Sequence, residues 1–389
     1  MTLKENQGIP GVVLLMMAVM SGLAVANLYY NQPLLEMMQR DLGCSVIESN
    51  AITVMTQVGY VLGLLFITPM GDLYSHRRII ITTLTLSALA ALAIASAENI
   101  ATVWGASLVL GANSVVAQMF IPIAGQYSEP ENKARNIGYV LSGLLTGILA
   151  SRVVSGAIGE MAGWRFVYAS VAVQMMLCIG LMLWIMPEMK RNFEGSYTGL
   201  MRSTADIFLT HPRIRLNAIR TALSFGSMLA VWSCLSFHVA GEPFYDGADA
   251  VGALGLCGVA GAVTASGIGR YVTRWGVRRF CIIGTQLQIA AWAVAWIWGY
   301  SYAGLIVTII VLDIGVQFMQ LSNQSDSIAQ LPSASNRVNT IFMTIFFIGG
   351  CLGTFLAGHG WNALGWTGIC LVGILMAAAS LCITLLRRE

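Results

Sequence analysis

Three charged residues stand inside otherwise apolar stretches of this sequence: Arg152, Arg220 and Asp313. A charge in hydrocarbon is costly, so such a residue faces a partner or an aqueous cavity and marks a proton or solute route. Asp313 offers protonation chemistry, because a carboxylate gives up its charged form readily once a cationic partner departs. Arg152 is the natural partner. It lies about seven residues from one end of its apolar run and Asp313 about ten from the same side of another, a similar depth at 1.5 Å per residue. Two readings stay open. The pair makes and breaks as two halves of the molecule move, coupling protonation to that motion, or it is a permanent pair that only holds the fold. Arg220 lies three or four residues inside its run, where a long side chain is expected to snorkel to the headgroups.

Uncharged polar residues repeat at helical spacing, where positions three and four apart share a face. Asp313, Gln317, Gln320 and Gln324 form one stripe, Asn27, Tyr30 and Asn31 a second, and Asn50, Thr53, Gln57 and Tyr60 a third. A one-sided polar stripe in lipid implies an internal water path; the alternative is a set of hydrogen bonds that tie helices together. The candidate substrate cavity is therefore Asn27, Tyr30, Asn31, Gln57, Asn113, Gln118, Ser227, Gln317 and Gln320, with Ser224 and Trp232 as further candidates.

Other chemistries find little support. The three lysines, Lys4, Lys133 and Lys190, follow no glycine, so no phosphate-binding loop of the G-x-x-x-x-G-K type can be assembled. His76, His211, His238 and His359 are scattered without metal-ligand spacing, and no Gly-x-Ser-x-Gly elbow occurs. No metal, cofactor or nucleic-acid partner is expected, and an enzyme, a receptor or a channel is disfavoured. All cysteines except Cys44 fall in apolar segments and read as small core residues.

These residues need a membrane-spanning frame. Hydrophobic residues are 57% of the 389 positions and charged ones 10%, against roughly 25% charged in a soluble domain. Runs of the ~20 apolar residues a membrane helix requires occur at 10–33, 47–70, 79–97, 99–125, 136–158, 164–187, 217–239, 248–270, 280–299, 302–325, 338–359 and 363–386. The reading is an all-α membrane protein of twelve transmembrane helices in two pseudo-symmetric six-helix bundles. Residues 1–187 form the first bundle, 188–216 a cytoplasmic linker loop, and 217–389 the second. With the N-terminus inside, seventeen basic residues are cytoplasmic and only Arg40 and Arg165 face outward, which fixes both termini on the cytoplasmic side. The halves repeat: Arg77-Arg78 recurs as Arg278-Arg279, 201 positions on, and Gly163-Trp164 as Gly365-Trp366, at 202. Internal duplication of this kind is a transporter feature, with the solute site near the midplane between the repeats.

The run from Ala26 to Leu35, the loop Pro69-Met70-Gly71-Asp72-Leu73-Tyr74-Ser75-His76-Arg77-Arg78 and its second copy from Gly269 to Arg279 resemble the signatures of the major facilitator superfamily, and more narrowly its bacterial drug and sugar efflux branch, the drug:proton antiporters. Thr68, Leu73 and Ser75 replace three signature residues of the first loop, and Leu110 stands where many proton-coupled members carry an arginine. The resemblance implies a monomeric transporter of the bacterial inner membrane, exporting a small organic solute against inward proton flow by alternating access. Uptake by proton symport is the rival. It also implies that Asp72 is a gate residue meeting Arg337 or Arg135. Gating loops would then carry Asp72, Arg77, Arg78, Arg135, Arg278, Arg279 and Arg337.

Overall fold

The computed structural model describes residues 3, 5–187, 197–261, 276–331 and 334–386, with the backbone alone at 72, 134 and 200. Among them all regular structure is helical. Two helices, α1 (Gly11–Ala26) and α2 (Leu35–Leu42), open the chain. They are followed by α3 (Val46–Ile67), α4 (His76–Ala95), α5 (Ile100–Tyr127), α6 (Arg135–Ala162) and α7 (Trp164–Ile185). A connecting helix, α8 (Tyr197–Thr210), leads to α9 (Pro212–Ala240), α10 (Ala248–Gly261), α11 (Val277–Trp298), α12 (Tyr302–Gln330), α13 (Ser335–Leu364) and α14 (Trp366–Leu386). Ten of these are long and apolar enough to cross a membrane, and the shorter apolar α1 and α10 occupy the first and eighth expected spans. Large apolar side chains such as Leu177, Trp184, Ile297 and Leu375 stay exposed. Lipid tails, as apolar as leucine itself, solvate them without penalty.

Several boundaries differ from the sequence expectation, each for a local reason. The first span stops at Ala26 rather than 33. Pro33 lacks the N–H that would continue the ladder to Tyr29, and the chain tightens to a 3-10 turn at Gln32–Leu34. α3 widens to a π turn at Gly63–Ile67 ahead of Pro69, with Thr68 N–H reaching back to the Gly63 carbonyl at 3.0 Å. α5 is interrupted at Ser114–Val115, ahead of Pro122 in its second part. There Asn113 and Ser114 donate back to the Val109 and Leu110 carbonyls, at 2.8 and 2.7 Å, a bonding habit that bends helices. Part of the expected linker loop is α8, and the seventh span starts at Pro212 rather than 217, proline being favoured at a first helical position. Lys4, Lys190, Arg191, Arg270, Arg274, Arg387 and Arg388 lie outside the described residues.

The two halves are built alike. α1 packs on α6 and α9 on α13. In the first pair a Cβ on Gly147 would collide with the backbone of Gly22, and one on Gly143 with that of Ala18; in the second, Gly353 meets Gly226 and Gly349 meets Ala222 in the same way. Each clasp needs hydrogen at these positions so that the backbones can touch. The halves meet through α3 on α13 and α6 on α10, pairs that the repeat interchanges. Helices alternate in direction, so Arg77, Arg78, Arg135, Arg213, Arg278, Arg279 and Arg337 gather at one end of the molecule, the basic face.

Candidate functional site

Arg152 on α6 and Asp313 on α12 come together at mid-depth between the halves, and both pack against one edge of α10. Glycines recur there at every third position, Gly252, Gly255, Gly258 and Gly261. The segment Gly255–Gly258 is a 3-10 turn, whose three residues per turn help keep that spacing in line. A Cβ on Gly255 would sit 2.9 Å from the Arg152 Cβ, and one on Gly258 3.1 Å from Asp313 Oδ2. This glycine edge gives both charged side chains their room.

Arg152 is 4% exposed. Its guanidinium carbon lies 4.0 Å from the ring centre of Trp232 and 4.9 Å from that of Tyr29, a cation between two π faces. Its Nε–H donates to Gln32 Oε1 at 2.7 Å. Asp313 feels the charge of Arg152, yet among the described residues the two do not close into an ion pair. Asp313 heads a half-buried row with Gln317, Gln320 and Gln324, while Leu312, Val316, Met319 and Asn323 turn into the protein. Gln324 donates to Asn339 of α13 at 2.6 Å. The stripe on α12 is thus only partly covered by the protein.

The stripe around α1 is rotated from its expected position. Because the α-helix ends at Ala26, the face rule fails beyond it. Tyr30 turns away, its hydroxyl donating to Gln174 of α7 at 3.4 Å, and Tyr29 faces Arg152 instead. Asn27 donates to Ser114 at 3.3 Å and Asn31 to Thr56 at 3.2 Å. Among the described residues the oxygens of both amides, Gln32 Nε2 and Thr53 Oγ1 are buried with no hydrogen-bond partner. Asn113 is committed to its own helix, as above. Ser227 also differs from the expectation: it is fully buried within the second half, donating to the Gly373 carbonyl and accepting from Trp292, both at 2.8 Å.

On α3 the third stripe forms a latch to the other half. Gln57 and Thr354 exchange hydrogen bonds at 3.2 and 3.3 Å, and Asn50 donates to the Ser233 carbonyl at 3.1 Å. One turn beyond Gln57, Tyr60 meets Phe347 at 4.5 Å between ring centres, and Phe347, Phe225 and Phe346 continue the aromatic cluster. Below it, Gln118, Asn339, Arg337 and Met343 line a 70 Å³ cavity open towards the basic face. At the opposite face a 550 Å³ vestibule is lined by Pro33, Glu36, Asp41, Glu160, Ser236 and Asp246 among others. Its acids are engaged: Glu36 with Arg40, Asp41 with Arg165, Asp246 with Tyr302, and Glu160 with the Ala248 N–H. The Arg165 guanidinium holds the Asp41 carboxyl below the usual carboxylate range.

Two groups of arginines take roles other than those expected. Arg77 donates to the Leu183 carbonyl at 2.6 Å, and Arg278 to the Thr384 and Leu385 carbonyls at 3.4 and 3.2 Å. Each satisfies the C-terminal carbonyls of the last helix of its own half, where a cation also suits the helix dipole. Their contacts therefore lie within a half rather than at a gate between halves. Arg78, Arg135 and Arg279 are exposed. Arg337 bonds Ser203 of α8; the Asp72 side chain lies outside the described residues. Arg220 does not snorkel. It is fully buried, donating to Asn323 Oδ1 at 2.5 Å and Asn217 Oδ1 at 2.8 Å. Asn217 in turn reaches Asp326 at 2.7 Å, which receives Arg213 through two bonds at 2.7 and 2.9 Å. Gln32, Tyr29 and Thr354 were not singled out from sequence as site residues; the glycine period on α10 was a legible signal for where the charges pack.

Comparison with known proteins agrees with this architecture. The family profile described as Major Facilitator Superfamily matches residues 14–354. The uncharacterized transporter YgaY of Escherichia coli O157:H7 is 33% identical over 379 residues, 97% of this chain and 96% of that one. The inner membrane transport protein YnfM of Escherichia coli (strain K12) is 24% identical over 397 residues, covering 99% and 93%. The crystal structure of the nucleoside transporter NupG superposes with a TM-score of 0.75 at 12% identity, over 96% of this chain and 97% of that one, a likeness of fold.

Proposed function

Because this chain belongs to the Major Facilitator Superfamily, we propose that it carries a small organic solute across the bacterial inner membrane by alternating access, with proton movement coupled through Asp313. The observation that carries this reading is an acid at mid-depth between the halves, half-buried and bonded to no described residue, close to a buried arginine it does not pair with. In our reading residues 1–187 and 217–389 rock about the central site as a monomer, linked by 188–216. The basic face and both termini are cytoplasmic, with Asp72, Arg135 and Arg337 at the gate on that side. Binding and release of a proton at Asp313 changes the attraction between the halves, since Arg152 belongs to the first and Asp313 to the second.

Export in exchange for protons is the direction implied by the sequence resemblance. A second reading, uptake together with protons, is favoured by the charge arrangement: with Asp313 neutralised, the charge of Arg152 is free for a solute. The test is transport in proteoliposomes loaded with a pH-sensitive dye, with a panel of drugs, sugars and siderophores, comparing the intact protein with Asp313→Asn. A solute that moves protons in the intact protein and not in the variant supports the proposal, and the sign of the dye response gives the direction. Proton movement that survives in Asp313→Asn refutes the coupling.

A further inference from the structure

The unspent hydrogen-bonding capacity around Arg152 points to a ligand class. The guanidinium carries five N–H groups. One is given to Gln32, and among the described residues no acceptor meets the terminal nitrogens. Gln32 Nε2, on the side chain whose oxygen holds Arg152, is a buried donor without a partner among the described residues. Buried donors left unmet cost free energy until an acceptor arrives. A carboxylate is the acceptor that suits a guanidinium best, since its two oxygens match the planar fork. Flat apolar surface is at hand. Trp232 and Tyr29 flank the cation, Tyr60 lies within electrostatic reach of Tyr29, and Tyr60 leads into the Phe347–Phe225 cluster.

We propose that the central site takes a small organic anion, a carboxylate on a flat apolar body, with the carboxylate on Arg152 and Gln32 and the body against the aromatic side chains. This rests on the reading that the space between the halves is the transport site. The acids of the vestibule do not oppose such a ligand strongly, since each is already engaged. Asp313 does when ionised, because it shares the charge of Arg152. Among the described residues the ionisable groups around Asp313 are Arg152 of α6, Tyr29 and Cys257 of α10. Of these four only the carboxyl has an ordinary pKa on the acid side of neutrality. Anion binding therefore strengthens as Asp313 takes up a proton, and proton and anion load the site together.

The experiment is thermal stabilisation of the purified full-length protein by benzoate, benzamide and benzylamine, each at about pH 5.5 and about pH 7.5, the lower value being nearer the ordinary carboxyl range. Benzoate is expected to raise the melting temperature, more at the lower pH, and the neutral and cationic probes are not. Arg152→Gln is expected to weaken benzoate at least about tenfold, as loss of a charged hydrogen-bond donor does. Asp313→Asn is expected to bind benzoate equally at both pH values. Where Arg152→Gln does not fold, Gln32→Leu and Arg152→Lys give the same test, each with reduced benzoate affinity. Equal stabilisation by all three probes, preference for benzylamine, or no stabilisation by benzoate overturns the proposal. Benzoate binding without any dye response in proteoliposomes leaves the anion site standing and removes proton-coupled transport; a dye response to a cationic solute without benzoate binding does the reverse.

Discussion

Replacing Thr354 with valine should open the face opposite the basic one. Thr354 is the partner of Gln57 across the interface of the halves, and both side chains are buried, at 0% and 3% exposure. Valine fills nearly the same space but strands the Gln57 amide, and leaving a buried polar group unmet costs about 1–3 kcal/mol. Interhelical bonds in membranes average nearer 0.6 kcal/mol, so about 1.4 kcal/mol is a working figure. The cost applies only while α3 and α13 are in contact; once they part, water satisfies the amide. Since 1.4 kcal/mol is about a factor of ten, the open population should rise about tenfold. Thr53, one turn from Gln57 on α3, is fully buried and its hydroxyl has no partner among the described residues, so a Thr53→Cys reporter costs little. In a background with the eight native cysteines replaced, the rate of alkylation of this cysteine by a membrane-impermeant reagent measures opening. Thr354→Val should accelerate it about tenfold, while Gln57→Leu with Thr354→Val, which removes both polar groups, should return close to the original rate. A Thr354→Val rate within about twofold of the parent, or a double variant as reactive as the single one, refutes the latch.

Gly147→Val forces side-chain volume into the backbone of Gly22, and overpacking of this kind costs about 1–3 kcal/mol or more; a lower melting temperature in detergent is expected, and Gly353→Val should match it in the second half. Arg77→Ala and Arg278→Ala each uncap a terminal helix, so stability should fall by about 0.3–1 kcal/mol with the transport rate per folded molecule unchanged; a selective loss of transport would restore these residues to the gate. Because the Asp41 carboxyl is held below its ordinary range by Arg165, it adds stability above the unfolded pKa of about 3.9, and that contribution fades as pH falls through the lower folded value. Asp41→Asn should remove this acid-side component from a melting-temperature profile, a small effect for an exposed pair.

Much of this protein is written in one dimension. Hydrocarbon demands long apolar segments with internally satisfied backbones, so the spans, their alternation and the all-helical class follow from counting. The basic end loops and the recurrence of Arg77 and Gly163 as Arg278 and Gly365 express the duplication directly. The acid and the two arginines inside apolar runs also stand out, because no other part of the chain makes charge so expensive. Periodicity then stops being a guide where the helix stops. The break after Ala26 turned Tyr30 into the first half and brought Tyr29 to Arg152, a reversal that the spacing of one helical face does not contain. Ser227 shares the polar look of a cavity residue, and only the approach of α11 and α14 decides that it is a packing bond. Arg220 and Arg152 are the same residue type at buried positions. One meets Asn217 and Asn323 and is held there; the other meets two rings, one amide oxygen and no ion pair with Asp313. Residue type sets which groups must find partners, and tertiary packing alone determines which of them are left without one.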